Sequence, residues 1–116
     1  MKKKFRIKKP DEIKELLETR NVKRNAYFSV YKGPGKKGHF RYAISVPQKF
    51  GKAVRRNKVK RQLRMIIKDL DIHENIDLFV IVHARSARLR FGELEKEFVK
   101  LVKRHRIKFN SPEVRR

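Results

Sequence analysis

Residues 51–64 read GKAVRRNKVKRQLR, and from Lys49 to Lys68 no acid interrupts the cations. Charge alone would suit an unfolded basic tail. The spacing argues for a helix. At 100° per residue, Val59, Leu63, Ile66, Ile67 and Leu70 fall on one apolar stripe. Asn57, Lys60, Arg61, Arg64 and Lys68 gather on the opposite side, and Arg56 stands at the edge of the stripe near the first turn. One face can therefore dock on a core while the other fixes a row of cations, an arrangement that suits a polyphosphate partner. Gly51 gives the backbone room to turn into the helix, which is expected to run to about Leu70.

On the N-terminal side, Met1 to Lys9 is a basic arm with Phe5 and Ile7, expected to be mobile until the polyanionic partner binds. Pro10 suits a first helical turn, Asp11 and Glu12 complement the dipole, and Ile13, Leu16 and Leu17 give a short apolar stripe, so a helix is predicted over 10–20. Asn21 to Arg24 reads as a turn or brief edge strand. Ala26 to Lys32 has strand composition, with Tyr27, Ser29 and Tyr31 on one face and Phe28 and Val30 on the other. Residues 33–38 (GPGKKG) read as a loop. In the return strand over 39–47, Phe40, Tyr42, Ile44 and Val46 alternate with Arg41, Ala43 and Ser45. The two strands are expected to pair as a hairpin with a basic tip, ended by Pro47, which cannot donate to a ladder.

On the C-terminal side, Asp71 to Asn75 make a turn. Leu78 to Val82 (LFVIV) is apolar without alternation, the mark of a central strand buried on both faces. Arg85 to Arg90 is a basic loop. Phe91, Leu94, Phe98, Leu101 and Val102 recur at helical spacing over 91–106, and 108–116 is a loose tail. With no linker or repeat, residues 1–116 read as one α+β domain.

Gly51, Lys52, Ala53, Arg56, Asn57, Lys60, Arg61 and Arg64 closely resemble the Arg-Asn-x-x-Lys-Arg-x-x-Arg motif of the bacterial ribonuclease P protein subunit. The resemblance runs from Ile13 to about Phe98 and implies that family's single-sheet αβββαβα sandwich, a ribosomal-protein-like fold. It also implies a left-handed crossover through the basic helix, against the right-handed rule for βαβ units. It further implies a protein that assists a catalytic RNA in magnesium-dependent removal of the 5′ leader from precursor tRNA, binding the leader and broadening substrate recognition. The Mg2+ would sit at the RNA active site. The resemblance assigns Arg56, Asn57, Lys60, Arg61 and Arg64 to the catalytic RNA; Lys52, where family members vary, is expected to assist, and Lys68 joins them from the same helix face. It assigns Ile13, Leu17, Phe28 and Tyr31 to a leader-binding groove; strand alternation sets Tyr27 on the face of Tyr31, and basic residues of the arm and the Arg41 region are expected to follow the leader's backbone. Family members commonly carry Phe where Ile13 and Leu17 stand, so van der Waals contact replaces base stacking on that side. From pattern alone, Tyr27 and Tyr31 fit a stacking surface or a second small core under the first helix equally well.

The formal net charge of +22 in 116 residues requires a polyanionic partner or a membrane surface. No apolar stretch reaches the ~18 residues of a span, and no apolar signal segment follows the basic start. With no cysteine, disulfides and thiolate metal sites are excluded, and a cytoplasmic protein without an obligate protein partner is the simplest reading. Asp69, Asp71, Glu74 and Asp77 read as a polar turn, and Glu93, Glu95 and Glu97 as complement to a helix start. His39, His73, His83 and His105 have no zinc spacing, and 33–38 lacks the phosphate-loop frame. No catalytic residue or metal ligand is therefore assigned to this chain. A structural ribosomal protein would share the composition, and the 51–64 motif discriminates against it. A protein-only nuclease lacks its carboxylate cluster.

Overall fold

The structure, a computed structural model, describes residues 3–110. The part of the expected loose tail from residue 111 onward lies outside them. In chain order it forms α1 (Pro10–Glu18), β1 (Val22–Arg24), β2 (Phe28–Pro34), β3 (Arg41–Ser45), α2 (Ala53–Leu70), β4 (Ile76–Val82) and α3 (Phe91–Arg104). Short 3-10 turns occupy Lys3–Phe5, Gln48–Phe50 and Ala84–Arg88, the last in place of the expected loop. The αβββαβα order follows the spacing of the apolar residues. Gly51 has φ 147° and ψ −164°, a region open almost only to glycine, and it turns the chain into α2. Asp71, left-handed at φ 53°, closes α2 with its N–H on the Lys68 carbonyl.

The strands form one mixed sheet in the order β1-β2-β4-β3. β2 pairs antiparallel with β4, Val30 opposite Val80, and β3 pairs parallel with β4, Ile44 opposite Val80. The expected β2–β3 hairpin does not form, because β4 lies between them. A strand apolar on both faces is best buried with a neighbour on each side, and LFVIV outcompetes the shorter β3 for the place beside β2. Parallel pairing then requires a crossover, which α2 supplies.

One face of the sheet carries the main core. Phe28, Val30, Tyr42, Leu78, Val80 and Val82 lie under Val59, Leu63, Ile66, Ile67 and Leu70 of α2 and Leu94, Phe98, Leu101 and Val102 of α3. The other face carries a smaller cluster. Leu16 of α1 and Ile7 pack with Phe79, and Ile13, Tyr31, Ala43 and Ile81 flank them. Both faces of β4 are thus covered, as its composition predicts.

Over its described residues, from Lys3 on, the arm lies against the domain, and Met1 and Lys2 fall outside the described residues. Ile7 is buried, its N–H donates to the Tyr42 carbonyl (2.8 Å), and Phe5 meets the His39 ring edge-on at 5.7 Å. β3 is one of the two edge strands, and its open backbone groups and the apolar Phe5 and Ile7 draw the arm in. The start of the tail is also tied down. Phe109 bridges Ile72, and the Asn110 N–H donates to the Leu70 carbonyl at 2.9 Å.

Candidate RNA interface

α2 presents its cations because its apolar stripe is spent on the core. Leu63, Ile66 and Leu70 are fully buried, while Asn57, Arg61 and Lys68 are exposed and Arg56, Lys60 and Arg64 half-buried. Lys52 is exposed just ahead of the helix. No acid stands in the first turn, so the cations add to the positive helix end.

α1 forms one wall of a groove over the second face of the sheet. Gly33 lets it approach, because Leu16 reaches over that position. Leu16 makes the buried contact, and Leu17 is turned outward at 38% exposure. Ile13 is half-buried beside the floor, where the Tyr31 and Phe79 rings stand 6.4 Å apart.

Two expected groove residues lie elsewhere. Phe28 is fully buried in the main core, its ring meeting Phe98 edge-to-face at 5.5 Å, so it cannot line an open groove. Its strand face was read correctly, and that face points to α3. Tyr27 precedes β2 and packs against the same main core, away from Tyr31. Its carbonyl accepts the His83 N–H (2.8 Å) and the Ser86 hydroxyl (2.9 Å).

Arg41 does not follow a ligand's backbone either. It is buried, and its guanidinium is gripped from two sides. Nε and Nη2 donate to Asp77 at 3.3 and 2.8 Å, and Nη1 and Nη2 donate to Glu12 at 3.4 and 2.9 Å. Asp77 is therefore a buried strand residue and not a solvated turn charge. The Arg41 hydrogen bond holds the Glu12 carboxyl below its ordinary range, while Asp77 and then Glu12 raise the Arg41 guanidinium. The bridge ties the start of α1 to β3 and β4.

The two expected sites meet. Ile13, Ala43 and Phe79 of the groove line a cleft of about 460 Å³ that Lys60 and Arg64 of α2 also line. Arg6 and Lys8 join them from the arm. The sequence holds the signal for these two, since Arg6-Ile7-Lys8 alternates as an extended segment with Ile7 inward. Burial raises the Tyr42 phenol there, against the charges of Arg6 and Arg64. Lys68 lies apart, in a second cleft beside Lys4 and Phe5. Past Tyr31 the floor continues to Ser29, whose hydroxyl is 2.8 Å from His83 Nε2, and burial lowers the His83 pKa.

Among the described residues no group of three or more His, Cys, Asp or Glu could hold a metal ion. Glu12 and Asp77, which meet at Arg41, are both engaged by its guanidinium, so this pair does not fit a magnesium ion. No helix is long and apolar enough to cross a membrane among the described residues.

A family model described as Ribonuclease P matches residues 1–106. The chain belongs to the ribonuclease P protein family. It is 41% identical to the ribonuclease P protein component of Mesoplasma florum, covering 90% of this chain and 97% of that protein. It is 35% identical to the Streptococcus pneumoniae component, covering 92% and 89%. Among solved structures, a Staphylococcus aureus RNase P protein mutant superposes with a TM-score of 0.84 at 29% identity, over 91% of this chain and 92% of that one. The Thermotoga maritima RNase P protein gives 0.75 at 29% identity, over 85% and 96%. Ribonuclease P is an endoribonuclease that processes the tRNA 5′ leader with its catalytic centre in an RNA subunit, and this chain is of its protein-component type.

Proposed function

We propose that this chain docks on the ribonuclease P catalytic RNA through the α2 cations and holds the unpaired 5′ leader of precursor tRNA between α1 and the sheet. One observation supports the reading above others: Lys60 and Arg64 line the same cleft as Ile13, Ala43 and Phe79. A leader lying over Tyr31, Phe79 and Ile13 would meet apolar and aromatic surface beneath its bases and cations along its phosphates. That mode tolerates most sequences. It also broadens substrate recognition, because every precursor has a leader to hold. Arg56, Asn57, Lys60, Arg61 and Arg64, with Lys52 and Lys68, neutralise phosphates of the catalytic RNA and release counterions, so association is salt-sensitive.

In this reading the chain supplies no acid, base or nucleophile. Mg2+ serves the reaction at the RNA, and the complex works in the cytoplasm. The experiment is cleavage of precursor tRNA by nuclease-free protein alone, by a bacterial catalytic RNA alone at limiting magnesium, and by the two together. The expected result is cleavage at the mature 5′ end that the protein stimulates and never performs by itself. Metal-dependent cleavage by the protein alone would overturn the reading.

A further inference from the structure

α2 has a second flank that the motif does not use. On a helix at 100° per residue, Arg55, Lys58 and Gln62 fall away from Arg56, Lys60 and Arg64, across the apolar stripe. That flank faces the start of α3 across a cleft of about 510 Å³, within the range of ligand-holding clefts. Phe50 and Leu89 deepen it, Val54 and Phe91 give its walls an apolar surface, and Arg55, Lys58 and Arg90 bring cations to it. No acidic side chain lines it. Among the described residues none of the three cations is in an ion pair. Val54 is 80% exposed, the more open of the two large apolar side chains, with Met65, that α2 turns outward.

We propose that this cleft takes one unpaired nucleotide of the catalytic RNA, its base or ribose against Val54 and Phe91 and its flanking phosphates on Arg55, Lys58 and Arg90. The three unpaired cations make the occupant a polyanion. The apolar walls require a base free of a duplex, since only an unstacked base offers its face to a side chain. The opposite flank already faces the leader groove, so an RNA engaged here grips α2 from the other side. α2 then becomes a ridge held between two RNA elements.

The inference rests on the RNA-docking reading above, and the test separates the two. Holoenzyme is reconstituted from a bacterial catalytic RNA and either the wild-type chain, the double variant Arg55→Glu/Arg90→Glu, or Arg61→Ala on the motif side. Protein affinity is titrated across a salt series. In a parallel arm, Val54→Cys carries a photoactivatable aryl azide, and the crosslinked nucleotides are mapped with and without precursor tRNA. Arg55, Val54 and Arg90 are exposed, and the backbone N–H of Arg90, which caps α3 on Glu93, is kept in the variant; circular dichroism is the check that each variant is folded. The double variant should bind about tenfold or more weakly, with a log–log salt slope shallower by roughly one to two units. The crosslink should fall on unpaired nucleotides of the catalytic RNA and persist when precursor is added. If Arg61→Ala weakens binding and the double variant does not, the cleft assignment is wrong and the docking reading stands. If neither variant changes affinity, docking through α2 fails as well. Crosslinks confined to duplex or to the precursor leader would also overturn the assignment.

Discussion

Gly33 sits under Leu16 so closely that a Cβ at position 33 would stand 2.7 Å from Leu16 Cδ2. The groove wall therefore rests on a bare backbone position. Gly33→Val should push α1 off the sheet and destabilise the fold by about 1–3 kcal/mol, the usual range for overpacking. Precursor binding should weaken more than binding to the catalytic RNA, because α2 is on the other face. Denaturant titration and paired RNA titrations check this. An unchanged unfolding midpoint would show that α1 yields freely.

Arg41 joins α1 to β4 through Glu12 and Asp77. Arg41→Met leaves the buried Asp77 without its partner and should cost about 3–5 kcal/mol. Glu12→Gln, at the more open end of the bridge, should cost far less. Urea denaturation of both variants is the measurement, and equal small losses would mean that water already screens the bridge.

The Glu12 carboxyl lies below its ordinary range in the folded chain. An unfolded chain then binds more protons as pH falls below about 4.5, so the Glu12 contribution is complete above that pH and is lost on the way down to the depressed folded value. Stability measured between pH 6 and 3 should fall less steeply in Glu12→Gln. Parallel curves for the two proteins would remove Glu12 from the acid response.

His105 is buried with its ring on the Val30 carbonyl, and burial lowers its pKa. The same sign applies at higher pH. Its contribution is complete above about 6.5 and declines as pH falls toward the lowered folded value. His105→Gln should flatten that part of the curve, at some cost in stability at neutral pH. A wild-type curve without slope between pH 6.5 and 5 would contradict it.

Tyr31→Ala should weaken precursor binding by about 1–3 kcal/mol, the range for one lost stacking partner. Mature tRNA, which has no leader, should bind the reconstituted holoenzyme nearly as before. Equal loss for both RNAs would assign Tyr31 to folding. Arg64→Ala should instead shallow the salt slope for the catalytic RNA by roughly one unit.

Local patterns in the chain carried most of the architecture. The α2 stripe, the doubly buried β4 and the α3 repeat each state their own burial, and all appear where periodicity puts them. Strand order was not legible. β2 and β3 are adjacent in sequence with a plausible turn, and only competition with β4, a long-range effect, separates them. In the site, period-two alternation correctly divided Phe28 from Tyr31, and the resemblance then assigned both to a groove that only one face can line. Arg41 looked like a surface cation because its partners, Glu12 and Asp77, lie 29 and 36 residues away. Nothing within its own strand reveals them.

The position of β4 also sets a timetable. As the chain leaves the ribosome, β2 and β3 emerge before the strand that lies between them, and any β2–β3 pairing formed early must open to admit β4. The central seat of the sheet is not filled until residue 82 has appeared, so the floor of the groove under α1 and the seat of α2 are completed late and together. Until then the acid-free segment 49–68 has no core to dock on and is an exposed polycation in a cell full of RNA.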